Sequence, residues 1–247
     1  MSRINSFYLA PEYWQEPFFL DGDEAHHLLR VLRAQPGHTI RLFNGQGRSG
    51  LFRVRSIEKK QASLECLSQE HSPALPFPLI LALGWAKHLR RSYLLEKAVE
   101  LGVSQIWFWQ AAHSQGKCPS NTEEHWERQL IPAAKQCGAL WLPQVQTFAS
   151  VHDLCTAAQD IPVRLICWEQ EQTRSLSPDQ LAHPEGCIVV LGPEGGLDSA
   201  EVTTCVDSGF RPITLGPHIL RHETAALFIL SLHHWAVWSK AEELSTP

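Results

Sequence analysis

Short apolar segments alternate with helical patterns along residues 79–247, and this alternation restricts the possible folds more than any other feature. Buried strands that alternate with helices are typical of a mostly parallel sheet covered by helices. The apolar segments are residues 79–83, 106–109, 163–167, 187–191 and 212–215, and the helical patterns cover residues 90–101, 123–137, 199–208 and 223–238. The sequence therefore predicts an α/β domain over residues 79–247.

Residues 1–72 follow a different pattern and are followed by a proline-rich segment. Residues 73–78 contain three prolines. Because proline restricts its own backbone and that of the residue before it, this segment is predicted to be a linker. A helical pattern at 23–33 precedes strand-like segments at 39–43, 51–57 and 62–67. In segment 51–57 apolar residues alternate with Arg53 and Arg55, so one face is predicted to be buried while the arginines face solvent. Residues 1–72 are therefore predicted to form a small β-barrel with a basic exterior.

Charge is unevenly distributed along the chain. The formal net charge is -5 over 247 residues, but residues 26–60 hold eight Lys or Arg side chains and one Glu. Salt limits the reach of exposed charges to about 10 Å, so local charge decides whether a phosphate backbone is attracted. A nucleic-acid-binding surface and an ordinary solvated surface both fit this pattern.

Several classes of protein are disfavoured by composition. No apolar segment approaches the ~20 residues of a membrane span, and the N-terminus lacks the apolar stretch of a secretory signal. We therefore expect a cytoplasmic protein with no membrane partner. The seven cysteines include no Cys-x-x-Cys pair and the histidines lack ligand spacing, so neither a disulfide framework nor a metal site is predicted.

Gly45, Gly47 and Gly50 match the spacing of the dinucleotide-binding fingerprint. That fingerprint needs a strand before the glycines and a helix after them. Here the segment after Gly50 is strand-like, and Asn44 followed by Gly45 is a common hairpin-turn pair. A β-hairpin is therefore predicted, and a nucleotide-dependent oxidoreductase is the alternative that tight binding of NAD would reveal.

Two segments place Leu-Gly-Pro at the end of an apolar strand, with a helical pattern soon after. They are residues 190–198 (Val-Leu-Gly-Pro-Glu-Gly-Gly-Leu-Asp) and 215–225 (Leu-Gly-Pro-His-Ile-Leu-Arg-His-Glu-Thr-Ala). Open α/β sheets bind ligands at the carboxyl ends of their strands. Because glycine has no Cβ, a ligand can lie directly on the backbone at Gly192, Gly195, Gly196 and Gly216. The loops are predicted to hold a flat heterocycle through peptide groups, and two ordinary strand-to-helix turns are the alternative.

These two segments, with residues 96–103 (Glu-Lys-Ala-Val-Glu-Leu-Gly-Val) and 135–138 (Lys-Gln-Cys-Gly), resemble the ribosomal RNA small-subunit methyltransferase E family, the uridine-N3 methyltransferases of the SPOUT superfamily. The resemblance covers nearly the whole chain. It implies a SPOUT-type α/β domain with a C-terminal trefoil knot, preceded by a PUA-like RNA-binding β-barrel that residues 23–45 resemble. It also implies a homodimer acting on small-subunit (16S) ribosomal RNA or the assembled subunit, and the thoroughly apolar helical pattern from Glu223 fits such an interface.

The resemblance also implies site residues, by motif. S-adenosylmethionine is the implied methyl donor, bound in a bent form in the knot with its adenine held by main-chain atoms. Its implied contacts are Trp168, Leu191, Gly192, Gly196, Leu215, Gly216, Ile219, Leu220, Thr224 and Ala225. The candidate RNA contacts are Arg30, Arg33, Arg53, Arg55, Lys87 and Arg90. No metal is implied.

Two residues are candidates for the chemistry. Uridine N3 becomes nucleophilic when its imide proton leaves and the resulting anion is stabilised. Arg221 is the candidate for that stabilisation, because its guanidinium is permanently cationic. Glu223 is a candidate general base, and holding Arg221 in place is its alternative role.

The chain departs from the family pattern at several positions. His218 stands where Arg is usual, His222 where Thr is usual, and Ala139 where Arg is usual. Ala112 and His113 replace a Glu-Arg pair. Because histidine is mostly neutral at pH 7, a divergent member that binds S-adenosylmethionine and RNA, with another target or no catalysis, is the alternative function.

Overall fold

A computed structural model describes residues 4–87, 90–119 and 123–245 of the chain. It divides the chain into two compact units. The first comprises Met1–Ala74 with Ile131–Leu142, and the second Leu75–Leu130 with Pro143–Pro247.

The segment 131–142 lies within the range 79–247 that the sequence predicts as one domain, yet it groups with the first unit. Ionic and hydrogen-bonding contacts explain this grouping. The Nζ of Lys135 lies 2.8 Å from Oε1 of Glu24, and the indole N–H of Trp141 donates to the carbonyl of Pro73 at 3.0 Å. Such contacts join residues far apart in the chain, so spacing alone does not reveal them.

The first unit is built on a five-stranded sheet within the described residues. Its elements are β1 (Ser6–Tyr8), β2 (Phe18–Leu20), α1 (Gly22–His26), β3 (Thr39–Phe43), β4 (Arg48–Glu58) and β5 (Gln61–His71). The strand order is β1-β3-β4-β5-β2, so the predicted barrel is a sheet with β1 and β2 as its two end strands. Apolar side chains including Phe7, Phe18, Leu42 and Phe52 form its core.

The helix predicted at 23–33 is divided in the structure. After α1 the chain forms a π-helical turn, His27–Val31, in which the N–H of Leu32 donates to the carbonyl of His27 at 3.0 Å. Arg33 then adopts φ 51°, in the left-handed region, and this ends the helical path. Leu28 is buried, while Arg30 and Arg33 remain exposed.

The glycine motif at 45–50 lies in a β-hairpin, as predicted. β3 and β4 pair antiparallel, and Oδ1 of Asn44 accepts hydrogen bonds from the N–H groups of Gln46 (2.9 Å) and Arg48 (3.0 Å). Gly50 lies inside β4, where a Cβ would be 2.3 Å from the carbonyl oxygen of Ser68. A strand rather than a helix therefore follows the glycines, and the basis for the oxidoreductase alternative is lost.

The alternation predicted for segment 51–57 is confirmed. Phe52 and Val54 of β4 are buried, and Arg53 and Arg55 are exposed. The pairing of β4 with β5 shifts register between Val54 and Ser56, which makes Arg55 the extra residue of a bulge.

The second unit is the predicted parallel α/β domain. Its elements are β6 (Leu79–Gly84), α2 (Arg91–Glu100), β7 (Gln105–Trp109), the N-terminal part of α3 (Glu123–Cys137), β8 (Gln144–Phe148), α4 (Val151–Ala157), β9 (Val163–Cys167), α5 (Pro178–Leu181), β10 (Cys187–Leu191), α6 (Ser199–Asp207), β11 (Arg211–Ile213) and α7 (His222–Ser245). Within the described residues the strands form a six-stranded sheet in the order β11-β9-β10-β6-β7-β8, and every pair is parallel.

The strand order places three loops together. β9 lies between β10 and β11, so the carboxyl ends of these three strands are adjacent at one edge of the sheet. All five residues of β10 are buried, which explains why the strand reads as a continuous apolar run. Each of the three strands is followed by an irregular segment before its next helix.

Within the described ranges, no helix combines the length and the apolar character that crossing a bilayer requires. All seven cysteines are free thiols.

Candidate functional site

A cavity of about 670 Å³ lies at the carboxyl ends of β9, β10 and β11, within the second unit. We name its three walls by the strands they follow: the β9 loop (residues 168–176), the β10 loop (192–198) and the β11 loop (214–221). Its volume lies in the range typical of small-molecule sites. The residues that line it are Arg90, Cys167, Trp168, Glu169, Leu191, Gly192, Pro193, Glu194, Gly196, Leu197, Ile213, Thr214, Leu215, Gly216, Pro217, His218, Ile219, Leu220, Arg221, His222, Glu223 and Ala225.

The β10 loop is held by close packing. At the end of β6, a Cβ on Gly84 would lie 2.5 Å from the backbone nitrogen of Pro193, so the glycine permits this approach. A Cβ on Gly192 would lie 2.7 Å from Cγ of Leu197. The side chain of Leu197 thus fills the space that a Cβ on Gly192 would take, so the missing side chain serves packing within the loop. Gly192 still lines the cavity, and its contact with a ligand stays a prediction.

A buried carboxylate fixes the far end of the β10 loop. Glu201, 8% exposed, accepts hydrogen bonds from the N–H of Asp198 at 3.0 Å and from the N–H of Ala112 at 2.7 Å. The first contact completes a capping box at the start of α6. The second connects the loop to the segment after β7, where a Cβ on Gly195 would lie 2.9 Å from Cβ of His113.

The β11 loop is open by comparison. Gly216 has φ 125°, which favours glycine, and a Cβ there would meet nothing within 4 Å. Ile219 is 88% exposed. Within the described residues, the peptide N–H groups of Leu215, Ile219 and Leu220 make no hydrogen bond. Free peptide donors beside apolar side chains are suited to binding a heterocycle.

The β9 loop runs beside the end of β11 and forms the third side of the cavity. The N–H of Trp168 donates to the carbonyl of Ile213 at 3.0 Å, and the N–H of Thr214 donates to the carbonyl of Arg174 at 2.8 Å. The carboxylate of Glu169 reaches towards the β10 loop, where its Oε1 lies 3.4 Å from the position of a Cβ on Gly196.

Both candidate catalytic residues line the cavity. Arg221 is exposed at the end of the β11 loop, and Glu223 lies in the first turn of α7. Among the ion pairs of the described residues, none joins the two. The described residues therefore include no ion pair through which Glu223 would hold Arg221 in place.

His222, between them, is buried in the core face of α7. It is 6% exposed, and neither ring nitrogen has a hydrogen-bond partner among the described residues. Burial lowers the pKa of His222 to about 4, against a smaller opposing effect of Glu223. The imidazole is therefore neutral at pH 7.

The structure gathers most of the predicted cofactor contacts in one place. Those that line the cavity are Trp168, Leu191, Gly192, Gly196, Leu215, Gly216, Ile219, Leu220 and Ala225. Thr224 does not line it, because it is exposed on the outer side of α7. Arg90 lines the cavity, whereas Lys87 is exposed in a turn outside it.

The four other candidate RNA contacts, Arg30, Arg33, Arg53 and Arg55, are exposed in the first unit. Nη1 of Arg53 lies 3.4 Å from Oε2 of Glu65, and this ion pair offsets part of the positive charge of Arg53. Of the family departures, His218 lines the cavity, whereas Ala139 belongs to the first unit.

Motif reasoning missed several cavity residues. Cys167, Glu169 and Glu194 line the cavity from the ends of β9 and β10, and Gly84 supports the β10 loop. The predicted strand ends at residues 167 and 191 could have indicated Cys167, Glu169 and Glu194, because residues at the carboxyl ends of parallel strands meet at one edge of the sheet. No group of three or more His, Cys, Asp or Glu side chains in the described ranges is arranged to hold a metal ion.

Known proteins are similar to this chain in sequence and in fold. A family model described as an RNA methyltransferase domain matches residues 73–234, and one described as an RNA methyltransferase PUA domain matches residues 20–66. The ribosomal RNA small subunit methyltransferase E of Mesomycoplasma hyopneumoniae (strain 232) is 30% identical over 220 residues, which is 88% of this chain and 94% of that protein. The protein of the same name from Bacillus subtilis (strain 168) is 30% identical over 227 residues, 87% of this chain and 88% of that protein.

A solved structure agrees with these relatives. The crystal structure of a ribosomal RNA small subunit methyltransferase E from Neisseria gonorrhoeae, bound to S-adenosyl methionine, superposes with a TM-score of 0.76 at 28% identity, covering 93% of this chain and 96% of that chain. The SPOUT-type α/β fold with an N-terminal PUA-like domain, predicted from the motifs, is thereby confirmed. The chain belongs to the ribosomal RNA small subunit methyltransferase E family.

Proposed function

We propose that this protein transfers a methyl group from S-adenosylmethionine to N3 of a uridine in 16S ribosomal RNA. The observation that carries the proposal is the cavity at the carboxyl ends of β9, β10 and β11, where two glycine-containing loops, Arg221 and Glu223 come together. The family relatives are named for methylation of small-subunit ribosomal RNA, which supports the class of substrate.

The cavity fits the methyl donor in its chemistry. The free peptide N–H groups of Leu215, Ile219 and Leu220 would hold the adenine, and the open space at Gly216 leaves room beside them. Leu191, Gly196 and Trp168 would line the opposite sides. When bound, S-adenosylmethionine supplies a methyl group already activated on a sulfonium.

In this proposal Arg221 and Glu223 act on the uridine. The guanidinium of Arg221 stabilises the negative charge that uridine N3 and its flanking carbonyls develop as the imide proton leaves. Glu223, with no ion pair to Arg221, is available to accept that proton. The target base must leave its stack to reach the cavity.

Exposed cations are proposed to bind the RNA backbone. Arg30, Arg33 and Arg55 are exposed and take part in no ion pair within the described residues, whereas Arg53 is paired. Lys87 and Arg90 lie beyond the carboxyl end of β6, and Arg90 lines the cavity. Phosphate contacts of this kind make RNA affinity fall with salt.

A homodimer and a C-terminal trefoil knot complete the proposal. Phe228, Trp235 and Trp238 recur at helical spacing on one exposed face of α7, and large apolar side chains in such a stripe support a buried helix face between two copies. Sedimentation of wild type and Trp235→Asp tests this, since a dimer through this face is expected to dissociate in the variant. Action on ribosomal RNA implies a cytoplasmic protein.

The test is mass spectrometry of 16S ribosomal RNA from cells with and without this protein. We expect a methylated uridine that disappears with the gene and returns when purified protein and labelled S-adenosylmethionine are added. A folded protein that binds the donor and adds no label to this RNA would instead favour the divergent-member alternative. The replacement of a permanent cation by His218 at the cavity is the observation behind that alternative.

A further inference from the structure

The β9 loop brings one carboxylate into the cavity that neither the motifs nor the proposed chemistry uses. Glu169 follows Trp168 at the end of β9, and its Oε1 and Oε2 lie 3.4 and 3.5 Å from the position that a Cβ on Gly196 would occupy. Because residue 196 is a glycine with φ 78°, no side chain separates this carboxylate from the β10 loop.

The backbone on both sides of Glu169 is held by hydrogen bonds, while its side chain is exposed to solvent at the cavity. The N–H of Trp168 donates to the carbonyl of Ile213 at 3.0 Å, and the N–H of Glu171 donates to the carbonyl of Trp168 at 3.1 Å. Residue 169 therefore lies at the corner of an anchored turn. Opposite it, the N–H of Gly196 donates to the carbonyl of Pro193 at 2.9 Å, which fixes the glycine as well.

The carboxylate of Glu169 has no ionic partner within the described residues, although cations line the same cavity. Arg90 and Arg221 both border this space, and neither forms an ion pair with it. An unpaired negative charge beside a binding cavity favours a cationic ligand over a neutral one of the same shape.

The methyl donor and its product differ in charge in this way. At neutral pH S-adenosylmethionine carries a sulfonium, an ammonium and a carboxylate, and so one net positive charge. Loss of the methyl group to a nucleophile leaves the electron pair on sulfur, and S-adenosylhomocysteine is a neutral thioether overall. A nearby carboxylate therefore stabilises the donor complex more than the product complex.

We propose that Glu169 is a specificity-determining residue that makes the cavity prefer the cationic methyl donor over its neutral product. The inference rests on the proposed function and assigns to the β9 loop a role in product release and in resistance to product inhibition. Glu171, two residues further along the same loop, serves as the matched control. Its carboxylate accepts hydrogen bonds from the N–H and hydroxyl of Thr173 and does not line the cavity.

Calorimetry with S-adenosylmethionine and S-adenosylhomocysteine in parallel tests this proposal. For Glu169→Gln we expect the Kd of the donor to rise roughly five- to tenfold, as expected for one partly screened charge pair, while the Kd of the product changes less than about twofold. For Glu171→Gln any change is expected to be equal for both ligands. The donor preference of wild type is also expected to shrink at high salt.

Two results would overturn the proposal. Equal weakening of both ligands by Glu169→Gln would make Glu169 a contact to the shared adenosine or a residue that shapes the loop. An unchanged Kd for both ligands would show that Glu169 does not contribute to binding either of them. If wild type binds neither ligand, the proposed function itself fails, whereas donor binding by wild type with an unchanged ratio in the variant refutes only the role of Glu169.

Discussion

The β10 loop and the β11 loop both follow a parallel strand and both carry Leu-Gly-Pro near the end of that strand, yet they are built differently. The β10 loop is tightly packed: Pro193 lies against Gly84, Leu197 fills the space at Gly192, and the carboxylate of Glu201 holds its end. The β11 loop has open space at Gly216 and an almost fully exposed Ile219.

This difference indicates that the two similar motifs have different structural roles. In the β10 loop, Gly192 and Gly195 allow other side chains to pack closely against the backbone, which holds the loop in one position. In the β11 loop the glycine and the free peptide N–H groups leave room for a ligand. The same three residues, Leu-Gly-Pro, therefore occur in a tightly packed loop in one place and in an open loop in the other.

The largest expected effect belongs to the chemistry of the β11 loop. Arg221→Ala is expected to lower kcat ~100-fold or more, because losing one stabiliser of developing charge commonly has this effect, while the Kd of S-adenosylmethionine stays within several-fold. Single-turnover methylation and calorimetry measure the two quantities. Arg211→Ala, on exposed β11 outside the cavity, is the control and is expected to change neither. Equal losses of binding and turnover in Arg221→Ala would make Arg221 a binding or folding residue.

The junction between the β11 loop and α7 is expected to be sensitive to acid. Burial lowers the pKa of His222 to about 4, whereas an unfolded histidine has a pKa of about 6.5. As the pH falls from about 6.5 to 4, the unfolded chain binds a proton that the folded chain does not, so the free energy of unfolding decreases, by about 3 kcal/mol for this shift.

Urea unfolding of wild type and His222→Leu across this pH range measures the effect. The variant is expected to lose much of the pH dependence. His233, whose pKa burial also lowers, contributes in the same direction and remains in the variant. An identical decrease in both proteins would contradict the assignment to His222.

The close packing of the β10 loop against β6 can be tested by replacing a glycine with alanine. Gly84→Ala places a Cβ 2.5 Å from the backbone nitrogen of Pro193, and such overpacking is expected to cost about 2 kcal/mol in unfolding free energy. Gly192→Ala is the matched comparison, because its Cβ would meet the flexible side chain of Leu197, which can move. Denaturant unfolding should therefore show the larger loss for Gly84→Ala, and the reverse order would refute the packing argument.

The smallest effect is expected at the end of the β10 loop. Glu201→Ala removes the acceptor for the N–H groups of Ala112 and Asp198 and is expected to cost about 1 kcal/mol or slightly more. Glu201→Gln keeps one acceptor oxygen and should cost less. Thermal unfolding of the two variants checks this order, and equal stability of wild type and Glu201→Ala would contradict it.

The main architecture could be predicted because buried parallel strands have a simple signature. The segments 163–167 and 187–191 coincide with β9 and β10, whose neighbours cover both faces. β8 was not predicted, because it pairs only with β7 at the edge of the sheet and carries polar residues. β1 and β2, with three residues each, are too short to give a periodic pattern.

The site was predicted in outline, but its internal packing was not. Motif spacing located the β10 and β11 loops, since both follow apolar strands. The contact of Gly84 with Pro193 joins residues more than a hundred positions apart, and Glu169 approaches Gly196 only because β9 and β10 are neighbours. Such contacts depend on strand order, which the sequence pattern does not specify.

A crystal structure of this protein with S-adenosylmethionine tests the proposed cofactor site most directly. We expect the donor between the β10 loop and the β11 loop, with its adenine on the peptide groups of Leu215, Ile219 or Leu220. A donor bound elsewhere on the protein, or a cavity that stays empty at saturating donor concentration, would contradict this expectation.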